Sequence, residues 1–157
     1  VKRGLSVDAL PAPLHRLLLR IAHWLRSTWW RWRQPVVLGV SIIARDEAGR
    51  VLLIRQSYGS SAWQLPGGGL HKGEDPAAAA AREFEEELGC PIADLTILVV
   101  RDEKHYGATN RVHVFTGRLA GEPKPDGREV IAARLFALDA LPPDLGRRAW
   151  ERFLYLP

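Results

Sequence analysis

The sequence predicts an α/β fold: one mixed strand-and-helix domain preceded by an N-terminal amphipathic helix. Three observations carry this. Short apolar runs of strand character recur from Val36 onward, and one helical stretch among them is framed by Pro76 and Gly89. Ahead of them, a proline-bounded basic segment repeats apolar residues at helical spacing. At 157 residues the chain is long enough for one domain with a real core and short for two. The expected division is a basic, Trp-rich leader at 1–35 and a folded domain at 36–157.

The leader comes first. Between Pro11 and Pro35, Leu14, Leu17, Leu18, Ile21, Leu25, Trp29 and Trp32 form a helical stripe, with Arg16, Arg20 and Arg26 largely off it. A helix over residues 12–33 is expected to cover its own domain, to pair with a second copy in a homodimer, or to lie on an anionic membrane surface. Arginines interrupt the apolar stretch and no small-residue cleavage site follows, so it does not read as a secretory signal. No apolar run reaches the ~18–20 residues that span a bilayer.

Charge is divided unevenly. Residues 1–35 carry seven Lys/Arg against Asp8 alone, a net +6, which leaves the remainder at −2 within a chain total of +4. The basicity therefore belongs to the leader, and the body offers no basic groove for nucleic acid. One cysteine, Cys90, excludes an intramolecular disulfide framework and a cysteine-only zinc site; a reducing, cytoplasmic compartment is expected.

Within the domain, VVLGVSIIA and RVLLIRQ flank the turn Asp46–Gly49 and read as a hairpin. Trp63–Leu65 is a short extended piece ending at Pro66. The helix starts at Pro76 behind a capping Asp75 and stops at Gly89, with Pro91 beyond. Strands are expected at Leu95–Val100, Arg111–Leu119 and Ala133–Leu138, with DEKHYGATN as a loop between the first two. A closing helix is expected at Asp144–Leu154.

The central helix carries the chemistry. At ~100° per residue, Glu86 and Glu87 fall within about 60° on either side of Glu83, while Ala77, Ala81, Phe84 and Leu88 gather on the far side. One face is apolar and docks on a sheet; the other presents three carboxylates, with Glu85 pointing elsewhere. Such a face is either solvated surface or a seat for a hard divalent cation, which takes carboxylate oxygens, water and phosphates. The preceding glycines, Gly67, Gly68, Gly69 and Gly73, allow close backbone approach to a ligand, but lack the Gly-Lys-Ser/Thr ending of a phosphate-cradling loop.

Read together, the spacing is Gly68, five residues, Glu74, seven residues, Arg82-Glu83-Phe84, one residue, Glu86-Glu87, one residue, Gly89-Cys90. This resembles the Nudix box, Gly-x5-Glu-x7-Arg-Glu-U-x-Glu-Glu-x-Gly-U. Cys90 stands where an aliphatic residue is usual, one small hydrophobe for another. The likeness runs from about Val36 to the C-terminus and leaves the leader outside it.

The resemblance implies a Nudix-type α/β/α sandwich with a mixed central sheet. It also implies Mg²⁺- or Mn²⁺-dependent hydrolysis of a nucleoside diphosphate linked to another moiety, nucleoside triphosphates first among them. Glu86 and Glu87 are expected as metal ligands, with the Gly67 carbonyl, Glu83 as ligand, base or both, and Glu129 as a further ligand or base. Arg82 is expected to orient a box glutamate and Glu74 to tie the loop to the helix. Gly68, Gly69, Trp63, His105 and Tyr106 are the substrate-contact candidates; His71 reads as a solvated loop residue. Tyr106 also lies roughly where dinucleoside polyphosphate hydrolases of the family carry a tyrosine, which makes that activity the alternative. A non-catalytic, membrane-associated nucleotide-binding module is the alternative from another class.

Overall fold

The computed structural model describes residues 11–33, 36–105, 108–125 and 127–157. Its elements in chain order are α1 (Ala12–Arg33), β1 (Val36–Arg45), β2 (Val51–Gln56), α2 (Pro76–Leu88), β3 (Ile92–His105), β4 (Ala108–Leu119), β5 (Val130–Phe136) and α3 (Arg147–Phe153). The strands form one five-stranded sheet in the order β3-β4-β1-β2-β5. β1 runs parallel to β4 and all other pairings are antiparallel, so the sheet is mixed.

β1 and β2 lie inside the sheet and are apolar on both faces, as strands covered on two sides must be. Alternation divides their side chains. Val40, Ile42, Ala44, Leu52 and Ile54 pack with Phe84 and Leu88 of α2, while Ile43, Val51 and Leu53 pack with Ala149 and Phe153 of α3. Helices thus cover opposite faces of the sheet, which is the α/β/α sandwich the sequence implies.

α2 begins and ends as its punctuation requires. Asp75 accepts hydrogen bonds from the N–H groups of Ala77 and Ala78, both at 3.0 Å. Gly89 closes the helix in the left-handed region at φ 63°, donating to the carbonyl of Glu85. Phe84 is fully buried and anchors the helix against the sheet.

Three expectations are corrected. Of the stretch 102–110 read as a loop, 102–105 and 108–110 are instead strand, because β3 and β4 extend as a ribbon in which Asp102 faces Arg111 and Glu103 faces Asn110. β5 starts earlier than expected, at Val130, where the chain pairs with Gln56 across a bulge. α3 starts later, since Leu145 bridges to Trp63 and Gly146 is extended: the Trp63 N–H donates to the Asp144 carbonyl and the Gly146 N–H to the Trp63 carbonyl.

α1 docks on the domain through its polar edge. Arg16 Nε donates to the Gly127 carbonyl at 2.9 Å and Arg20 Nε to the Ser57 carbonyl at 3.1 Å, while Ser27 is buried. The apolar stripe of Leu14, Leu17, Leu18, Ile21, Leu25 and Trp29 faces outward, 43–56% exposed. No described helix is long and apolar enough to cross a membrane.

Candidate active site

The site is built where the glycine loop passes between β1 and α2. The carbonyls of Pro66 and Gly68 accept from the N–H groups of Ile42 and Val40, both at 2.9 Å, so the loop runs along β1 like a short extra strand. A side chain has no room here. A Cβ on Gly67, whose φ is +144°, would stand 2.2 Å from the Val40 carbonyl oxygen. A Cβ on Gly68 would stand 2.1 Å from Glu83 Oε2.

On the other side of the loop stand the carboxylates of α2. Glu87 is buried at 7% exposure. Its Oε2 accepts from the Gly67 N–H at 3.0 Å and its Oε1 from Gln56 Nε2 at 3.3 Å. Burial pushes its pKa up to about 8; the Gly67 N–H offsets part of this, and the charges of Glu129 and Glu83 add to it. Glu83 is likewise raised, by burial first, with Glu86 and Glu129 pushing the same way and Arg82 opposing. Glu86 is the outermost of the three, its side chain 61% exposed.

Glu129 joins from the segment before β5. Its carboxylate accepts the hydroxyl of Tyr58, and its backbone carbonyl accepts the Ser57 N–H at 2.8 Å. Burial, then the Glu129 charge, raises the Tyr58 phenol well above its ordinary value, so the hydroxyl stays a donor.

Arg82 is spent on the protein. Nε and Nη2 grip Glu74 in a two-pronged pair at 2.8 and 3.0 Å, and Nη1 donates to Glu83 Oε1 at 2.8 Å and to Glu86 Oε2 at 3.3 Å. Nη2 also reaches the Gly69 carbonyl at 3.1 Å. Hydrogen bonding from Arg82, then from the His71 N–H, draws the Glu74 carboxyl down to about 2. One guanidinium therefore fixes the loop, the helix and three of the box carboxylates, Glu74, Glu83 and Glu86, together.

A cleft of about 830 Å³ opens above this arrangement. Gly67, Gly68, Gly69, Glu83 and Glu129 border it, as do Gln56 and Tyr58, and the polar edge of α1 supplies His23, Arg26 and Ser27. Glu87 lies beneath the loop, outside the cleft lining. Trp63 is away from it: the indole is 6% exposed, packed edge-on against Phe136 with ring centroids 5.1 Å apart and covered by the Arg55 guanidinium. The base-stacking expectation for Trp63 thus meets a core residue on the α3 side of the sheet. His105 ends β3, but its side chain and all of Tyr106 lie outside the described residues. His71 projects from the loop, its side chain 74% exposed. Sequence reasoning missed Gln56, Tyr58, His23 and Arg26. The polar pair at the end of an otherwise apolar β2 is the one local signal that could have found Gln56.

The donor set suits a hard cation. Burial raises the proton affinities of Glu87 and Glu83, and neighbouring carboxylates add to it, Glu129 and Glu83 at Glu87 and Glu86 and Glu129 at Glu83. Among the described residues no three His, Cys, Asp or Glu side chains form a ready-made metal cage. Carboxylate oxygens together with water and phosphates are the ligands a hard divalent cation takes.

A mixed sheet between helices, with a glycine loop feeding a carboxylate-bearing helix, defines the class. The family model of the NUDIX domain matches residues 35–155. The chain belongs to the NUDIX domain family. Over 61 residues it is 46% identical to the RNA pyrophosphohydrolase of Saccharophagus degradans, a match covering 39% of this chain and 36% of that protein. Over 94 residues it is 43% identical to a Mycobacterium tuberculosis H37Rv protein provisionally named 8-oxo-dGTP diphosphatase 2, covering 54% and 64%. The MutT NUDIX hydrolase of Burkholderia pseudomallei superposes with a TM-score of 0.71 at 29% identity, over 78% of this chain and 98% of that one. The chain thus spans about a third of the first relative's length and less than two thirds of the second's.

Proposed function

We propose that the protein hydrolyses a phosphoanhydride bond of a nucleoside diphosphate linked to another moiety, with a nucleoside 5′-triphosphate as the preferred substrate and a divalent cation, Mg²⁺ or Mn²⁺, as cofactor. The observation that carries this reading is the gathering of Glu83, Glu87 and Glu129 around the glycine loop, where burial first and neighbouring carboxylates next raise the proton affinities of Glu83 and Glu87. An acidic cleft repels a polyphosphate unless positive charge intervenes. Support also comes from the names of the two relatives above, an RNA pyrophosphohydrolase and a protein provisionally named 8-oxo-dGTP diphosphatase 2.

Glu83, Glu86 and Glu87, with the Gly67 carbonyl and Glu129, would hold the cation. When bound, it supplies charge neutralisation for the phosphates and lowers the pKa of water. The rest belongs to the chain's own residues. Gly68 and Gly69 let the polyphosphate approach the backbone. Glu83, at the cleft edge with a raised proton affinity, is the group that takes the proton of the attacking water, holds the cation, or does both. Water oxygen bonds to phosphorus as the bridging P–O bond breaks, and the electron pair leaves with the phosphate or pyrophosphate. Arg82 positions Glu83 and Glu86 without meeting substrate.

The test is product release from a panel of nucleoside triphosphates, 5′-triphosphorylated RNA, dinucleoside polyphosphates and nucleotide sugars, with Mg²⁺ and with chelator. Turnover of triphosphates that chelator abolishes is the expected result. Metal-dependent nucleotide binding with no turnover of any panel member would replace the hydrolase with a nucleotide-binding module.

A further inference from the structure

α1 lies outside the residues the family match covers, which begin at 35, yet its polar edge forms part of the cleft wall. The way it is fastened connects it to the site. Arg16 holds the Gly127 carbonyl, two residues before Glu129, and Arg20 holds the Ser57 carbonyl, one residue before Tyr58. The helix is thus keyed to the two segments whose side chains, Tyr58 and Glu129, are hydrogen-bonded to each other.

One turn further along, His23 packs against Tyr58. Its ring lies 5.4 Å from that of Tyr58, tilted by 44°, and 3.7 Å from where a Cβ on Gly59 would stand. Arg26 follows on the same helix edge, borders the cleft, and is close enough for its charge to act on both Tyr58 and His23. The cleft lining thus combines the carboxylates Glu83 and Glu129 with the Arg26–His23 edge of α1, which brings positive charge and imidazole nitrogen. A polyphosphate has more anionic oxygens than one cation at the carboxylates can meet, and Arg is the side chain best shaped to bind the remainder.

We propose that Arg26 and His23 form a phosphate subsite, so that α1 is a wall of the active site and holds a second phosphoryl group of the nucleoside polyphosphate. The assignment rests on the phosphoanhydride-hydrolase reading for its ligand class, and deepens it by naming who binds the second phosphate.

The experiment is a calorimetric titration of the full chain with Mg²⁺ and a methylene-bridged, non-hydrolysable nucleoside triphosphate, for the wild type, Arg26→Gln, His23→Ala and Trp24→Ser. Trp24 is on the outward face, 64% exposed, and serves as the control. Loss of one charge-assisted contact should raise Kd about tenfold in Arg26→Gln. Trp24→Ser should keep the wild-type value, and unfolding temperatures should stay close to it in all three variants. An Arg26→Gln affinity within about twofold of wild type overturns the subsite. So does an effect of His23→Ala without one of Arg26→Gln, or an absence of wild-type binding. Arg26-dependent binding by a chain that turns over no phosphoanhydride leaves the subsite standing and removes the hydrolase reading instead.

Discussion

The carboxylate of Glu87 and the peptide N–H of Gly67 meet in a 3.0 Å hydrogen bond that fastens α2 to the glycine loop. The contact makes a buried carboxylate tolerable, but only partly: Glu87 still has a pKa of about 8. Without a cation, burial and the neighbouring carboxylates favour its protonated form.

Cation binding should therefore release that proton. Titrating Mn²⁺ calorimetrically into the protein in two buffers of different ionisation enthalpy reads the release directly. Roughly one proton is expected at pH 7, falling toward none at about pH 9, where Glu87 is already ionised. A release that does not change between these pH values would contradict the assignment.

Gly68→Ala isolates geometry from stability. The new methyl would collide with the end of a flexible side chain, since the ideal Cβ stands 2.1 Å from Glu83 Oε2. Glu83 should swing aside, lowering turnover by about 10²-fold, the scale of a misplaced catalytic group. The unfolding temperature should move little. Gly67→Ala, which meets the Val40 backbone at 2.2 Å, should lose stability as well as activity.

Acid should loosen the loop from the helix. Glu74 falls from 4.5 to about 2 on folding through its hydrogen bonds from Arg82 and the His71 N–H. A folded value below the unfolded one gives stabilisation that is complete above about 4.5 and lost as pH falls through about 2. Denaturation midpoints measured across this window should drop more steeply for the wild type than for Glu74→Gln. Parallel curves would show that the Arg82 pair adds nothing to stability.

What could be read from the sequence was what is encoded locally. The limits of α2 follow from Asp75, Pro76 and Gly89, each acting on its own neighbours. The box spacing likewise lies within one loop and one helix. The Tyr58–Glu129 hydrogen bond joins residues 71 positions apart and leaves no local trace. The stripe on α1 was legible, but not the face it would present. That is decided by the carbonyls of Ser57 and Gly127, which capture Arg20 and Arg16 and turn the stripe outward. Trp63 sits in too short a stretch for alternation to assign it a side. The charged run through Glu103 looked like a loop because its partners, Asn110 and Arg111 among them, come into register only when β4 returns.

Glu103 gives a prediction away from the cleft carboxylates. Its side chain is 7% exposed and pairs with Arg152, itself 12% exposed, at 2.8 Å, tying β3 to α3. Burial lowers the Arg152 pKa and Glu103 opposes that fall. Glu103→Gln leaves a buried guanidinium without its counter-charge and should cost about 3 kcal/mol in denaturant unfolding. Cation affinity should stay unchanged. A loss below about 0.5 kcal/mol would place this pair with exposed, weak ones.

The central claim is that the carboxylates around the glycine loop seat a divalent ion, and electron paramagnetic resonance of Mn²⁺ tests it without relying on turnover. Titrated into the wild-type chain, the free-ion signal should vanish in step with protein concentration. In Glu83→Gln/Glu86→Gln the affinity should weaken by well over tenfold, since loss of outer supporting groups alone costs ~10–100-fold. Equal Mn²⁺ binding by wild type and variant, or no binding by either, would contradict the account.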